Sequence, residues 1–122
     1  MSIRALVCGL TLMTTMVVGA QEPLSMQVYP AVSYAPANLV IRTRLEPDAN
    51  NRTLEVVAES DAFYRSSMIQ LEGDRAARTR TFEFKSVPSG AYEVRAVVIG
   101  TDGQRRALSR AYVNVVESGA SR

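Results

Sequence analysis

The residue types that usually carry enzyme chemistry are scarce in this chain, which contains no histidine and one cysteine. Without histidine, the general base of Ser-His-Asp and Cys-His catalysis is missing, as are most ligands of protein zinc sites. A Ser-Lys pair would need Ser66 or Ser67 beside Lys85, but the sequence places Lys85 on the outward face of a strand. The spacing of carboxylates such as Asp48 and Asp102 does not indicate a glycosidase pair. We therefore expect no catalytic residue and a protein that is not an enzyme.

One stretch gathers oxygen ligands densely enough to be compared with a calcium loop. Its members are Glu46, Asp48, Asn50 and Asn51. Calcium loops place acidic ligands at alternate positions and follow them with glycine. This stretch instead combines Pro47 with aspartate and asparagine, which is typical of a tight turn. We expect a turn here, with no metal site, and no cofactor anywhere in the chain.

The charge balance excludes a nucleic-acid binder that works by electrostatics. The full chain carries 14 basic and 12 acidic residues, a net charge of +2. Loss of Arg4 with a cleaved leader would lower the net charge by one. A nucleic-acid-binding surface would need a basic stripe and a much larger excess of positive charge.

The arginines have two interpretations. Arg42 and Arg44 are predicted to point outward beside the strand that carries Glu83, where cross-strand pairs of opposite charge would account for them. The alternative is that they bind an acidic polymer of the cell envelope, together with Arg105, Arg106 and Arg110. A solvent-exposed face on which the arginines pair with acidic residues is the simpler prediction.

The first 20 residues have the pattern of a secretory signal peptide. A positive start at Arg4 is followed by the apolar run Ala5–Val18 and by the small residues Gly19 and Ala20. The alternative is an uncleaved anchor, but the run is shorter than the roughly 20 residues that a spanning helix needs. We expect a signal peptide at 1–20, removal of Cys8 with it, and no membrane span after cleavage. The mature protein would be periplasmic or secreted.

The rest of the chain predicts a single all-β domain over 21–117 and a flexible tail over 118–122. Short segments alternate apolar and polar residues at period 2 and are separated by turn formers, which is typical of a β-sandwich. Pro30 splits the first segment into two halves that are expected to cross between sheets. The pattern does not decide whether residues 63–78 form a strand, a short helix or a loop: Ser67–Leu71 are compatible with a strand, and Arg75–Arg78 with a short helix. The pattern predicts about seven strands in the segments 25–34, 39–46, 53–59, 67–71, 80–85, 87–103 and 107–116.

The segment from Val87 to Val94, Val-Pro-Ser-Gly-Ala-Tyr-Glu-Val, resembles a Leu-Pro-x-Gly-x-Tyr-x-Val signature. That signature recurs in immunoglobulin-like and fibronectin type III-like modules of exported bacterial proteins. The resemblance implies an immunoglobulin-like sandwich and a structural tyrosine corner formed by Pro88, Gly90 and Tyr92. In such a corner the tyrosine hydroxyl bonds to backbone a few residues upstream.

Alternation also predicts the core and an interaction surface. The predicted core residues are Leu39, Ile41, Val56, Phe82, Phe84, Tyr92, Val94, Ala96 and Val98. The outward positions of three neighbouring strands are mostly apolar or aromatic, although an antiparallel sheet facing water should be polar outside. These candidate interface residues are Val57, Arg95, Val97, Ile99, Tyr112, Asn114 and Val116.

The outward apolar residues have three explanations. Strand propensity alone would place valine and isoleucine there without any partner. Contact with another envelope or secreted protein, or with a second copy of the chain, would bury them. Polysaccharide binding is the alternative function, and it would use exposed aromatic rings on one sheet face, for which Tyr29, Tyr34 and Tyr112 are the candidates.

Overall fold

The computed structural model describes residues 23–117. The predicted signal peptide at 1–20 and the predicted tail at 118–122 lie outside the described residues. Over residues 23–117 the chain forms one 3-10 turn, Gly73–Arg75, and eight β-strands. The strands are β1 (Leu24–Tyr29), β2 (Val32–Tyr34), β3 (Ala37–Leu45), β4 (Asn51–Glu59), β5 (Tyr64–Gln70), β6 (Thr79–Val87), β7 (Gly90–Gly100) and β8 (Arg105–Val116).

The strands form two packed sheets, one of three strands in the order β1-β3-β6 and one of five in the order β2-β8-β7-β4-β5. Neighbours run antiparallel except β2 and β8, which are parallel. The prediction of about seven strands was one too low because it counted the first segment as a single strand. Pro30 has no N–H for a ladder, and the chain changes sheets there, so the two halves become β1 and β2.

Side-chain alternation places one continuous apolar core between the sheets. On β7, Tyr92, Val94, Ala96 and Val98 are buried and alternate with more exposed residues. Burial of each large apolar side chain stabilises the fold by roughly 1.5–3 kcal/mol. Every predicted core residue is buried, which confirms the register assigned from the sequence: Leu39, Ile41, Val56, Phe82, Phe84, Tyr92, Val94, Ala96 and Val98.

A tyrosine hydrogen bond fixes the start of β7. The Tyr92 hydroxyl donates to the carbonyl oxygen of Pro88 at 2.8 Å, and its ring meets Phe63 edge to face, with centroids 6.0 Å apart. A buried phenol keeps its hydroxyl satisfied in this way. Gly90 is needed for the close approach, since a Cβ there would lie 3.1 Å from both Ser60 Oγ and Tyr92 Cε1.

The segment that the sequence left open, residues 63–78, contains a strand followed by a turn. β5 starts at Tyr64, three residues earlier than the strand expected near Ser67, and Leu71 just after it is buried. The helical turn occupies Gly73–Arg75, so the short helix suggested for Arg75–Arg78 was wrong. Gly73 has a φ of +58°, a conformation that favours glycine and therefore fixes the position of the turn.

Among residues 23–117, no helix has the length and apolar character needed to cross a membrane.

Candidate functional site

The candidate interface residues lie on the outer face of the five-stranded sheet, which is the face turned away from the core. On β4, Val57 is aligned with Ser66 of β5 on one side and with Arg95 of β7 on the other. Two residues beyond Arg95 on β7, Val97 is aligned with Leu108 of β8. The register therefore brings the β4, β7 and β8 candidates onto one surface, as the alternation predicts.

The surface contains two shallow depressions rather than one continuous patch. The central depression, of about 630 Å³, is lined by four candidates, Val57, Arg95, Val97 and Ile99, and by Tyr64. Gly103 and Gln104 of the β7–β8 turn, and Arg105 at the start of β8, also line it.

The edge depression has a similar volume of about 630 Å³ and is lined by the candidates Tyr112 and Asn114, together with Val32 of β2. The last candidate, Val116, is aligned with Tyr34 at the end of β8 and is not among the residues that line either depression. The candidates thus divide between two adjoining depressions and one more distant position.

A cluster of ion pairs separates the two depressions. Arg95 Nη1 lies 2.8 Å from Glu93 Oε1 and 3.0 Å from Glu59 Oε1, and Arg110 Nε lies 3.0 Å from Glu93 Oε2. The hydrogen bond to Glu93, and then the one to Glu59, raise the pKa of Arg95, so its guanidinium stays charged at every physiological pH. Because these groups are partly exposed, the pairs contribute little to stability, and their main effect is to fix the side chains on the surface.

Val57 points toward the outer face but is not accessible, since only 3% of it is exposed. Arg95 is aligned with Val57 and reaches Glu59, two residues further along the same strand. The aliphatic part of an arginine commonly covers apolar surface in this way. Val57 therefore supports the surface from below, and a partner would first meet Arg95.

Two large exposed side chains of the outer face were missed by the sequence analysis. Tyr64 is 57% exposed and Met68 is 58% exposed, and they align with Glu59 and Glu55 of β4. Both belong to β5, where the sequence pattern predicts a strand only near Ser67–Leu71. The alternation of Tyr64, Ser66, Met68 and Gln70 is the signal that identifies them.

The three tyrosines proposed for a sugar-binding face do not share a sheet. Tyr29 belongs to β1 of the three-stranded sheet, whereas Tyr34 and Tyr112 belong to the five-stranded sheet. Within the latter, Tyr34 is 69% exposed and Tyr112 is 72% exposed. The grouping of all three on one face was wrong, because the first segment changes sheets between Tyr29 and Tyr34.

The cluster of oxygen ligands between β3 and β4 forms a turn. Asp48 Oδ1 accepts the Asn50 N–H at 2.8 Å, and its Oδ2 lies 2.7 Å from Arg106 Nη2. The Asn51 side-chain amide donates to the Glu46 carbonyl at 3.1 Å. Over residues 23–117 there is no group of three or more His, Cys, Asp or Glu side chains that could hold a metal ion.

The outward arginines of β3 do not form the pairs that the sequence suggested. Arg42 is aligned with Thr81, and Glu83 is aligned with Val40. Within the described part of the chain, the ion pairs involve Arg95, Arg106 and Arg110. Glu83 lies two residues along β6 from the partner of Arg42, and both side chains are exposed. Arg106 and Arg110, in contrast, are already neutralised by acidic residues of this chain.

No protein-family model and no curated protein matches the chain in sequence. Among solved structures, a family 76 glycoside hydrolase from a bovine Bacteroides thetaiotaomicron strain is similar at a TM-score of 0.55 and 16% identity, over 80% of this chain and 21% of that one. The superoxide reductase (neelaredoxin) of Ignicoccus hospitalis is similar at a TM-score of 0.52 and 16% identity, over 77% of this chain and 80% of that one.

The fibronectin(III)-like modules of Clostridium thermocellum CbhA align at a TM-score of 0.45 and 17% identity, over 75% of this chain and 97% of that one. At identities this low, the similarities concern the fold alone. Two packed sheets, a first segment shared between them, and a tyrosine hydrogen-bonded at the start of β7 are features of an immunoglobulin-like sandwich. The chain therefore has the fold of an immunoglobulin-like β-sandwich.

Proposed function

We propose that this protein is an exported, non-catalytic module that binds another protein of the cell envelope through the outer face of its five-stranded sheet. The observation that supports this is a central depression lined by Val97, Ile99 and the exposed Tyr64. The exposed Met68 lies beside it on β5, aligned with Glu55. Tyrosine, methionine and arginine are enriched in protein interfaces relative to other surfaces. Arg95, fixed by two carboxylates, would present a preorganised cation at the centre.

The spacing of the aromatic rings favours a protein over a sugar as the partner. Tyr64, Glu59, Glu93 and Tyr112 are aligned across four neighbouring strands. With strands about 4.8 Å apart, the two tyrosines stand roughly 14 Å from each other. The ion pairs occupy the space between them, so no single sugar ring can contact both tyrosines. A protein surface, with its larger area and mixed polarity, matches this layout better.

We propose export on the basis of the apolar run Ala5–Val18 and the small residues that follow it. Cleavage after Ala20 would give a mature protein that begins at Gln21. Intact-mass analysis of the protein recovered from outside the cytoplasm is expected to show the loss of residues 1–20. A mass that retains these residues would contradict cleavage and favour a membrane anchor.

Val97→Arg is expected to abolish partner binding without unfolding the domain. Val97 is half-buried at the centre of the outer face, aligned with Glu55 and Leu108, so a longer charged side chain can extend toward solvent while filling the central depression. A photo-crosslinking residue placed at Tyr112 would report the partner in cells. We expect the crosslinked partner of the parent protein to disappear in the Val97→Arg variant.

Val40→Arg is the matched control, because Val40 is a half-buried outward residue of the other sheet, aligned with Glu83. It is expected to keep the crosslink. The proposed surface is wrong if both variants recover the same partner as the parent protein. Unfolding of Val97→Arg alone, seen as a lost thermal transition, would show instead that β7 is covered on both faces.

A further inference from the structure

Within the part of the chain that the structure describes, residues 23–117, one edge of β5 has backbone groups without a partner. Among these residues, β5 is the last strand of its sheet and pairs only with β4. The Leu71 N–H donates to the Arg52 carbonyl at 2.8 Å, and the Ser60 N–H donates to the Phe63 carbonyl at 2.9 Å. In an antiparallel ladder the bonded pairs alternate, so the odd-numbered residues of β5 bond to β4. The outward-pointing backbone groups are then those of Tyr64, Ser66, Met68 and Gln70.

The other outer strands carry the protection that usually prevents edge pairing. β2 is only 3 residues long, and β1 is followed directly by Pro30. β6 has the exposed Lys85 and, at Ser86, a φ of 59° that distorts its end. Each of these features discourages a further strand from adding to that edge.

β5 has none of these features. Its 7 residues include no proline, lysine or acid. Its one charged side chain, Arg65, is directed toward the other sheet, where Nη1 donates to the Lys85 carbonyl at 2.7 Å and the guanidinium lies 5.1 Å from the Phe63 ring centre. An edge of this length left unprotected is a template for another strand.

We propose that β5 pairs antiparallel with β5 of a second copy, about a two-fold axis at Ser67. In this register Tyr64 faces Gln70 of the copy and Ser66 faces Met68. Each pair exchanges both backbone hydrogen bonds, so every free N–H and C=O of these residues finds a partner. The two five-stranded sheets become one continuous sheet, and its outer faces lie side by side.

A second copy fits this edge because the strand is self-complementary, as a two-fold interface requires. The side chains that meet on the outer face are uncharged, and each pair joins a larger residue to a smaller or more flexible one. The two Arg65 side chains start four residues apart along the ladder, roughly 14 Å from each other. That distance exceeds the Debye length of about 8 Å at physiological salt, and the net charge of +2 adds little further repulsion.

This pairing goes beyond the proposed function and does not depend on it. It uses the backbone edge of β5, whereas partner binding uses the outer face of the sheet. Tyr64 and Met68 point to that face and border both surfaces. An interface of one strand pair buries little area, so the dimer should be weak and should form only at high protein concentration.

Ser66→Pro tests the pairing directly. The Ser66 N–H makes no bond to β4, so proline there removes only an outward donor and should leave the fold intact. Sedimentation equilibrium over a wide concentration range should show dimer for the parent protein and an association constant at least about tenfold lower for the variant. The thermal midpoint of diluted protein should be unchanged.

Met68→Lys and Val32→Lys form a matched pair of charge variants. Both residues are exposed on the same sheet, but Val32 belongs to β2 at the opposite edge. Met68→Lys should weaken the dimer, whereas Val32→Lys should not. The reverse result would assign the contact to β2 and overturn the proposal.

Amide hydrogen exchange gives a residue-level test that does not depend on any variant. The Arg65, Ser67 and Ile69 amides should be protected at every concentration because they bond to β4. Those of Ser66, Met68 and Gln70 should become protected only as the dimer forms. Rapid exchange of these amides at the highest concentration, or a monomer throughout, would overturn the proposal whatever the outcome of the Val97→Arg experiment.

Discussion

Replacing Phe84 with alanine is expected to lower the free energy of unfolding by roughly 3–5 kcal/mol. Phe84 is an inward residue of β6, 3% exposed and aligned with Leu39 of the neighbouring strand. Loss of its ring removes apolar burial and leaves a cavity between the sheets that the β-ladders cannot easily close. Small domains have a total stability of about 5–15 kcal/mol, so the effect should be large in a urea titration.

Glu83→Ala is the control for this measurement. Glu83 precedes Phe84 on the same strand but is exposed, and exposed substitutions of this kind usually change stability by about 0.5 kcal/mol or less. A large loss for Glu83→Ala with a small loss for Phe84→Ala would mean that β6 is shifted by one residue, because such a slip exchanges its two faces.

Gly73→Ala is expected to cost roughly 2–3 kcal/mol, from two separate causes. Gly73 has a φ of +58°, which an alanine adopts only with strain, and its added Cβ would lie 3.0 Å from the Ala49 carbonyl oxygen. That carbonyl already accepts a hydrogen bond from Arg52 Nη1 at 2.8 Å. The turn after β5 is therefore packed against the β3–β4 connection, and neither backbone can move independently.

Gly103→Ala separates the two causes. Gly103 has a φ of +79°, but a Cβ there would have no atom within 4 Å. The cost should be limited to backbone strain, about 1 kcal/mol. Thermal unfolding of both variants gives the difference, which measures the contact with Ala49. Equal losses would show that the β3–β4 connection yields to the added methyl group.

Strands whose inner faces are fully apolar could be predicted from the sequence because burial selects a period of 2. This holds for β7, where Tyr92 to Val98 alternate without exception, and for Phe82 and Phe84 on β6. β5 could not be assigned in the same way. Its inward positions include Arg65 and Ser67, since an edge strand is only partly covered, and the apolar signal is correspondingly weak.

The composition of the outer face was only partly predictable for a different reason. Alternation identifies Val97 and Glu93 as outward, but it does not say which residues of other strands lie beside them. The contacts of Arg95 with Glu59 and Glu93 depend on the register between β4 and β7. The burial of Val57 depends in turn on where the Arg95 side chain lies. Side-chain coverage of this kind follows from the assembled sheet and not from any one strand.

The parallel pairing of β2 with β8 has a mechanical consequence. Pro23 lies beside Arg106 and Ala107, where β8 begins, whereas Glu117 follows its far end. Pro23 and Glu117 therefore lie near opposite ends of β8. Since β8 has 12 residues, these two ends of the sandwich are roughly 40 Å apart.

Tension between these two ends would draw β2 toward one end and β8 toward the other. The bonds from the Ala35 N–H to the Val116 carbonyl, at 2.8 Å, and from the Asn114 N–H to the Ala31 carbonyl, at 2.9 Å, would then be loaded together in shear instead of opening in turn. The sandwich would act as a stiff link that transmits a pull along its length before it yields.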